Sequence, residues 1–199
     1  MKKNIIYLAV VMFMLVSFSI ELQAEKLHLK YVKASIITSP TEPRDSRILV
    51  YFRLPELLNQ QNIRIDYAKL VFLAGIKKHP VGLVNISPVT SSWKDAGMIT
   101  WKGLWEEDGG DYSSDLIQAA SVTDSTATKE HRCDITNIVR SWLDGIINNE
   151  GLIIMPSESM LEDSPVEYNV NSRDIKLVIN YTLDDDIERR IEKISKDKR

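Results

Sequence analysis

An acidic loop between Glu106 and Asp115 contains residues that could bind a metal ion. Two adjacent glycines lie within it, and carboxylates fall at Glu106, Asp108, Asp111 and Asp115. Ca²⁺ takes about six to eight oxygen ligands from carboxylates and carbonyls, although this spacing is not that of an EF-hand. The loop is therefore a candidate structural calcium site, with a solvated acidic turn as the alternative, and we expect no other cofactor.

Aromatic side chains near predicted turns suggest a second kind of chemistry, the recognition of sugars. Exposed aromatic rings offer flat apolar faces, and nearby polar groups can fix the orientation of a ligand. The candidates are Trp101, Trp105, Tyr112 and Tyr168. Trp105 is the strongest of them because its neighbours are too polar for a core strand. Packing in the core is the alternative for each.

The sequence contains no recognisable arrangement of catalytic side chains. Nucleophilic catalysis needs a base beside the nucleophile and a group that orients the base, and none of His28, His79 and His131 lies in such a setting. His131 and Cys133 would share one face of a strand, but two ligands do not make a metal site. Glycoside hydrolysis uses paired carboxylates, and no pair has a recognisable context. We therefore expect a protein that is not an enzyme.

Composition narrows the range of partners. The chain has 199 residues and a net charge of −3. Binding to nucleic acid rests on concentrated positive charge, so we expect no nucleic-acid partner. Cys133 is the only cysteine and cannot form an internal disulfide. A secreted domain without disulfides must be held together by the packing of its core.

The N-terminus has the anatomy of a secretory signal peptide. Met1–Asn4 is basic, Ile5–Ile20 is apolar apart from two serines, and Leu22 and Ala24 occupy the positions that a signal peptidase reads. The pattern predicts a signal peptide over residues 1–24 and a secreted protein, extracellular or periplasmic. The alternative is an uncleaved membrane anchor, since about 17 to 25 apolar residues can span a bilayer. We expect membrane contact only through this segment, and only if it is not cleaved.

The following residues, 25–183, are typical of one all-β domain. Short apolar or alternating runs are separated by turn residues, which favours a sandwich or a barrel. The predicted strands are Leu27–Val32, Arg47–Leu54, Ala68–Ala74, Val81–Val89, Met98–Trp101, Leu152–Met155, Pro165–Val170 and Ile175–Thr182.

A short helix is predicted within this pattern, at about residues 134–144. Asp134 suits the N-terminal cap, and Gly145 can end the helix in a left-handed conformation. We expect the helix to cover one end of the core, with Trp142 buried. The apolar residues that share one helical face are Ile135, Ile138, Val139, Trp142 and Leu143.

A charged tail follows the domain over residues 184–199. Asp184–Asp186 suit the start of a helix, and Ile187, Ile191 and Ile194 form a stripe too short for a coiled coil. We interpret this segment as a charged helix or a disordered tail.

Several motifs occur together between about residues 47 and 182. They are the strand Leu49–Pro55, the tryptophan motifs Ser92–Asp95 and Ile99–Trp101, the helix Asp134–Gly145, the turn Asn149–Gly151 and the final strand Leu177–Thr182. In this order they resemble the DNRLRE domain, a family also classed as family-96 carbohydrate-binding modules. The resemblance implies an extracellular, non-catalytic β-sandwich of jelly-roll type, in a family with members that bind polysaccharide. It also implies that Trp93 and Trp101 are packing residues.

Two functions are therefore expected, in this order. The first is a secreted, non-catalytic jelly-roll module that binds polysaccharide at the cell envelope or outside the cell. The second is a structural or adhesive envelope protein that contacts protein partners through the same sandwich. Exposed aromatic residues on one sheet face would favour the first, whereas an apolar patch or an unpaired edge strand would favour the second.

Overall fold

A computed structural model of the protein describes residues 24–60, 62–77, 81–123, 129–158 and 167–183. Two predictions fall outside these residues: the signal peptide, of which only Ala24 is described, and the charged tail over residues 184–199. None of the described helices has the length and apolar character that crossing a membrane requires.

Antiparallel strands make up most of the described chain. In chain order they are β1 (Ala24–Lys30), β2 (Lys33–Thr38), β3 (Ser46–Tyr51), β4 (Ile63–Lys77), β5 (Val81–Pro88), β6 (Gln118–Thr123), β7 (Lys129–Asp134), β8 (Leu152–Pro156) and β9 (Glu167–Leu183). Helix α1 (Thr136–Leu143) lies between β7 and β8. Short 3-10 turns occur at Glu56–Asn59 and Ser114–Leu116.

The strands pair into two sheets. The four-stranded sheet has the order β1-β9-β4-β7, and the five-stranded sheet has the order β2-β3-β8-β5-β6. The chain passes from one sheet to the other at six of its eight connections between consecutive strands, as in a jelly roll. The predicted fold class, an all-β, jelly-roll-like antiparallel sandwich with one short helix, is therefore confirmed.

The main core lies between the sheets because alternate residues of each strand point inward. Along β9, the residues that alternate from Ile175 to Tyr181 are buried, as the sequence predicts. Cys133 is a free, buried thiol. No disulfide through this residue therefore stabilises the core. The largest fully buried side chains of the core are Phe52, Phe72, Leu70, Ile86, Ile135, Ile138, Leu152 and Ile154.

A second hydrophobic cluster covers the outer face of the five-stranded sheet. The long β5–β6 connection, residues 89–117, folds across this face and buries Trp93 completely against β3 and β8. The prediction of a strand over Met98–Trp101 is wrong, since this stretch has no strand pairing. Its Ile99 and Trp101 side chains pack onto the second cluster instead.

Helix α1 packs across the end of the main core, close to its predicted position. Ile138, Val139 and Trp142 are buried there. Arg140 ties the helix to β4, because its guanidinium donates a hydrogen bond to the carbonyl of Ile65 at 2.7 Å. The helix therefore closes one end of the sandwich and is held to a central strand.

The C-terminal end of α1 follows the sequence, but the N-terminal cap is Ile135, which makes no side-chain cap hydrogen bond, and not the predicted Asp134, which lies one residue before the cap. Asp134 accepts hydrogen bonds from the backbone N–H and the hydroxyl of Thr136, at 2.9 and 2.6 Å. Gly145 has a φ of 68°, and Ile146 N–H donates to the carbonyl of Ser141 at 3.0 Å. This is a Schellman ending, in which glycine adopts the left-handed conformation without strain.

Candidate functional site

The aromatic residues predicted to bind sugar lie mainly in the β5–β6 connection. Trp101 is half-buried, and the Arg47 guanidinium lies 4.6 Å from the centre of its ring. Arg47 also pairs with Asp45 through two contacts of 2.8 and 2.9 Å, and it donates to the carbonyl of Gly109 at 3.1 Å. The cation therefore occupies one face of the Trp101 ring and fixes the ring in the second cluster.

Trp105 and Tyr112 are also half-buried and pack on the second cluster. The Trp105 indole N–H donates to the carbonyl of Thr100 at 2.9 Å. Tyr168 lies on β9 in the opposite sheet, and its side chain is outside the described part of the structure. The structure thus brings three of the four predicted residues over one sheet. Their role in binding stays a prediction.

Asp111 organises the acidic loop through its own hydrogen bonds. Its carboxylate accepts bonds from the backbone N–H groups of Glu106 and Glu107, at 3.0 and 2.9 Å, and from the Ser91 hydroxyl. Burial acts to raise the pKa of Asp111, but these hydrogen bonds outweigh it and lower the pKa below its ordinary value. Asp111 is therefore ionised at neutral pH and holds the turn closed.

The other predicted calcium ligands are more exposed. Asp108 forms an ion pair with Lys102 at 3.4 Å, Glu106 is exposed, and Asp115 is exposed in the 3-10 turn before β6. Within the described ranges, no three His, Cys, Asp or Glu side chains lie close enough together to hold a metal ion. Calcium binding stays a prediction, which melting curves in CaCl2 and in EDTA would test.

The Ser92–Asp95 motif has a structural role. The Trp93 indole N–H donates to the carbonyl of Glu150 at 2.6 Å. The Lys33 ammonium donates to the carbonyls of Lys94 and Ala96, at 2.8 and 2.7 Å. These bonds join the motif to the turn before β8 and to the start of β2.

The Asn149–Gly151 turn is also structural. The Asn149 amide donates to the carbonyl of Phe52 at 2.9 Å and accepts from the N–H of Gly151 at 3.1 Å. Gly151 has a φ of 89°, and a Cβ atom there would overlap the Val50 carbonyl oxygen. Glycine is required at this position by both conformation and space.

A basic groove crosses the outer face of the four-stranded sheet, on the side of the sandwich opposite the aromatic loop. All four strands of that sheet contribute to its lining. The uncharged lining residues are Tyr67, Val71 and Val178, and Glu130 is the lining carboxylate. The basic side chains that line the groove are Lys26, His28, Lys69, Arg132 and Lys176.

The strand register explains why these basic side chains meet. Lys30 of β1 lies opposite Lys176 of β9, which lies opposite Val71 of β4. Val71 in turn lies opposite Arg132 of β7. All four residues point outward because their sequence neighbours face the core. The adjacent row across the sheet contains His28, Val178, Lys69 and Asp134.

The floor of the groove is apolar, although it faces outward. Val71 and Val178 are only 8% and 9% exposed, since the aliphatic stems of the surrounding lysines can cover them. The Lys69 ammonium lies 4.6 Å from the centre of the Tyr67 ring. A ligand in the groove would thus meet the aliphatic stems of the lysines and the Tyr67 ring, with cationic groups around them and the valines beneath.

The positive charge of the groove is only partly compensated. Arg132 pairs with Glu130 at 2.7 Å, whereas Lys26 and Lys176 of the lining form no ion pair with a described residue, nor does Lys30, which lies outside the lining and opposite Lys176. Lys30 and Lys176 are like charges directly opposite each other on neighbouring strands, an arrangement that destabilises a sheet. An anion bound between them would relieve this repulsion.

Asp134, at the edge of the groove, responds to this positive charge. Burial acts to raise the pKa of its carboxyl, but hydrogen bonds from Thr136 and the charges of Lys69 and Arg140 lower the pKa below its ordinary value. Of these groups only Lys69 lines the groove, and its charge would act in the same direction on an anionic ligand.

Sequence reasoning misses the groove because its cations come from separate strands. The alternation of Lys26, His28 and Lys30 along β1 is the one local signal. The lysines at positions 69 and 176 are far from it in sequence, and only strand pairing makes them neighbours.

The fold and these surfaces define a β-sandwich of jelly-roll type with two opposed candidate binding faces. A comparison of the sequence with protein-family models and with curated proteins finds no match. The family resemblance therefore stays a prediction.

Proposed function

We propose that the protein is an exported, non-catalytic module that binds an anionic polysaccharide at the cell envelope or outside the cell. The observation that carries the proposal is the basic groove on the four-stranded sheet, in a chain whose net charge is −3. Carboxylate or sulfate groups of the polymer would pair with the lysines at 26, 69 and 176. The sugar rings would lie over Val71 and Val178.

The spacing of the charges suits a polymer. Neighbouring strands lie about 4.8 Å apart, and residues two apart along a strand are separated by about 6.7 Å. Basic residues recur at the second of these intervals along β1, at Lys26, His28 and Lys30, and on the other strands Lys176, Lys69 and Arg132 are separated from one another by valine. A chain with an acidic group on successive units could contact several of them at once, whereas a single small anion would use one or two.

The composition of the groove favours binding over hydrolysis. Hydrolysis of a glycosidic bond uses two carboxyl groups on either side of the bond, whereas the floor here is valine and the surrounding groups are mainly cationic. The resemblance to a family with polysaccharide-binding members supports the same proposal.

The aromatic loop is the second candidate surface for the same function. Leu104 has a φ of 90° and is 52% exposed, a conformation that is unfavourable for a bulky residue and that concentrates at functional sites. Leu104 precedes Trp105, the strongest of the predicted sugar-binding residues. A ligand at this loop would be neutral or weakly charged, since the loop carries more acidic than basic residues.

Binding measurements with matched variants test the proposal. Affinity would be measured at low salt for polysaccharides with carboxylate groups, with sulfate groups and with no charge. The groove variant is Lys69→Gln with Lys176→Gln, and the control is Arg53→Gln with Arg64→Gln, which removes two positive charges outside both the groove lining and the aromatic loop. Exposed ion pairs contribute about 0.2–1 kcal/mol each, so we expect the groove variant to lose roughly fivefold in affinity.

Several results would contradict this proposal. Equal affinity for charged and neutral polysaccharides would exclude electrostatic recognition, and equal losses in both variants would place the site elsewhere. Tighter binding to single-stranded nucleic acid than to any polysaccharide would assign the groove to another polyanion. If Trp105→Ala alone removed binding, the aromatic loop would be the site.

A further inference from the structure

Strand β2 forms an open edge of the five-stranded sheet. Among the described residues it pairs only with β3, and Ile36 on it is 54% exposed. Val32, directly before the strand, is 56% exposed. Lys33 is already engaged with the carbonyls of the 93–96 turn. Edge strands are normally protected by charge or proline, and Ala34–Ser39 contains neither.

The backbone groups on this open edge follow from the ladder with β3. Ser39 N–H donates to the carbonyl of Asp45 at 3.0 Å, which continues the register of the two strands. In an antiparallel ladder, such hydrogen-bonded positions alternate with positions whose N–H and C=O groups point away. The groups that point away from β3 therefore belong to Ala34, Ile36 and Thr38.

We infer that β2 pairs with β2 of a second copy of this chain, antiparallel, about a two-fold axis at Ile36. In this register Ile36 lies opposite Ile36 of the second copy, and Ala34 lies opposite Thr38 of the second copy. Each such pair exchanges two backbone hydrogen bonds. All the outward groups of the strand gain partners, so the edge is complementary to itself, as a two-fold interface requires.

The side chains fit the same register. Ile36 contacts its counterpart, and Val32 does not extend the ladder because its N–H donates to the Tyr51 carbonyl of its own chain at 2.8 Å. Pro40 has no N–H and ends the ladder. Lys33 lies opposite Ser39, so no like charges face each other across the axis.

The other edges do not offer such a surface. β1 carries Glu25, Lys26 and Lys30, and β7 carries charged residues at alternate positions, including Glu130 and Arg132. Edge charges of this kind oppose pairing with another strand. β6 is uncharged but lies beside β7, where the two sheets approach each other.

The pairing of β2 is inferred independently of the proposed function, but its effect on polysaccharide binding rests on that function. A dimer carries two basic grooves, and a polymer long enough to reach both would bind more tightly than to one groove. Loss of dimerisation would then lower affinity for long polysaccharides and leave affinity for short oligosaccharides unchanged.

Sedimentation velocity of the exported protein over a range of concentrations tests the inference. We expect a monomer–dimer equilibrium that Ile36→Lys weakens by about tenfold or more, since the change removes an apolar contact at the axis. Ala34→Pro should weaken it as well, because it removes an outward N–H and leaves the β3 ladder intact. The control is Met98→Lys, at an apolar residue that is 81% exposed on the β5–β6 connection.

Three outcomes would overturn the inference. They are a monomer at every concentration, a dimer that both edge variants leave intact, and a dimer that Met98→Lys disrupts as strongly as Ile36→Lys. Thermal unfolding of each variant verifies that it is folded. Because Ile36 lies on the sheet opposite the groove, failure of this test would leave polysaccharide binding by the monomer unaffected.

Discussion

Two buried tryptophans that differ in hydrogen bonding allow a direct test of the packing. Trp93 is fully buried, and its indole N–H donates to the carbonyl of Glu150 at 2.6 Å. Trp142 is 7% exposed, and its indole nitrogen has no hydrogen-bond partner among the described residues. Replacing either residue by Phe removes an indole N–H and the same number of atoms, so the hydrogen bond of Trp93 is the main expected difference between the two variants.

The expected magnitudes follow from what each substitution leaves behind. Trp93→Phe leaves the Glu150 carbonyl without its donor, which costs about 1–3 kcal/mol in addition to the lost volume. Trp142→Phe loses a similar volume but removes an N–H that has no acceptor, which by itself favours the folded state. We therefore expect Trp93→Phe to be less stable than Trp142→Phe by about 1–3 kcal/mol.

Equilibrium unfolding in urea, followed by far-UV circular dichroism, measures this difference without relying on tryptophan fluorescence. Trp142→Ala gives the scale of full truncation, for which we expect about 3–5 kcal/mol because Trp142 lies in the main core. Equal losses for the two Phe variants would refute the assigned hydrogen bond, and a larger loss for Trp142→Phe would refute the reasoning on the unpaired N–H.

The other predictions concern a glycine, a thiol and a carboxylate. Gly151→Ala should lower the free energy of unfolding by more than about 3 kcal/mol, because it adds overlap with the Val50 carbonyl oxygen to the conformational penalty. Gly145→Ala is the control and should lower it by about 1–2 kcal/mol, because nothing lies within 4 Å of the added atom. Equal losses in urea unfolding would contradict the packing at position 151. Burial raises the pKa of the Cys133 thiol to about 11, so the unfolded chain loses this proton first. The free energy of unfolding should therefore fall as pH rises from about 9 to 11. If Cys133→Ala leaves this dependence on pH unchanged, other groups cause it. Asp111→Ala should destabilise the β5–β6 connection by about 0.5–1.5 kcal/mol, because it removes the carboxylate hydrogen bonds while water can satisfy the exposed N–H groups of Glu106 and Glu107. Since the pKa of Asp111 is lowered in the folded protein, this advantage should be present near neutral pH and disappear as pH falls through the folded pKa. A difference in melting temperature that persists in acid would contradict it.

Much of the fold follows from the sequence because its strongest signals are local. The alternation from Ile175 to Tyr181 predicts an inward strand face, and the spacing around Trp142 predicts a helix that ends at Gly145. The long strand β9 is predicted as two shorter strands because polar residues at 171–174 interrupt the apolar pattern. The pattern misses β2, β6 and β7, which are edge strands with small or charged residues and weak periodicity.

Other features depend on tertiary pairing and cannot be obtained from local patterns. Met98–Trp101 has the composition of a strand, but its apolar residues serve a loop that covers the outside of a sheet. Trp105 has loop-like neighbours, and its half-buried position arises from the same covering. The groove depends on a register that places Lys30 opposite Lys176, and no spacing within the chain encodes that pairing.

Chemical-shift mapping by NMR with an acidic oligosaccharide tests the central claim most directly. Binding in the basic groove should perturb chiefly the backbone amides of Lys69, Val71, Lys176 and Val178, and these perturbations should weaken as salt concentration rises. Perturbations confined to residues 98–112, or none at concentrations where binding is detected by other means, would contradict it.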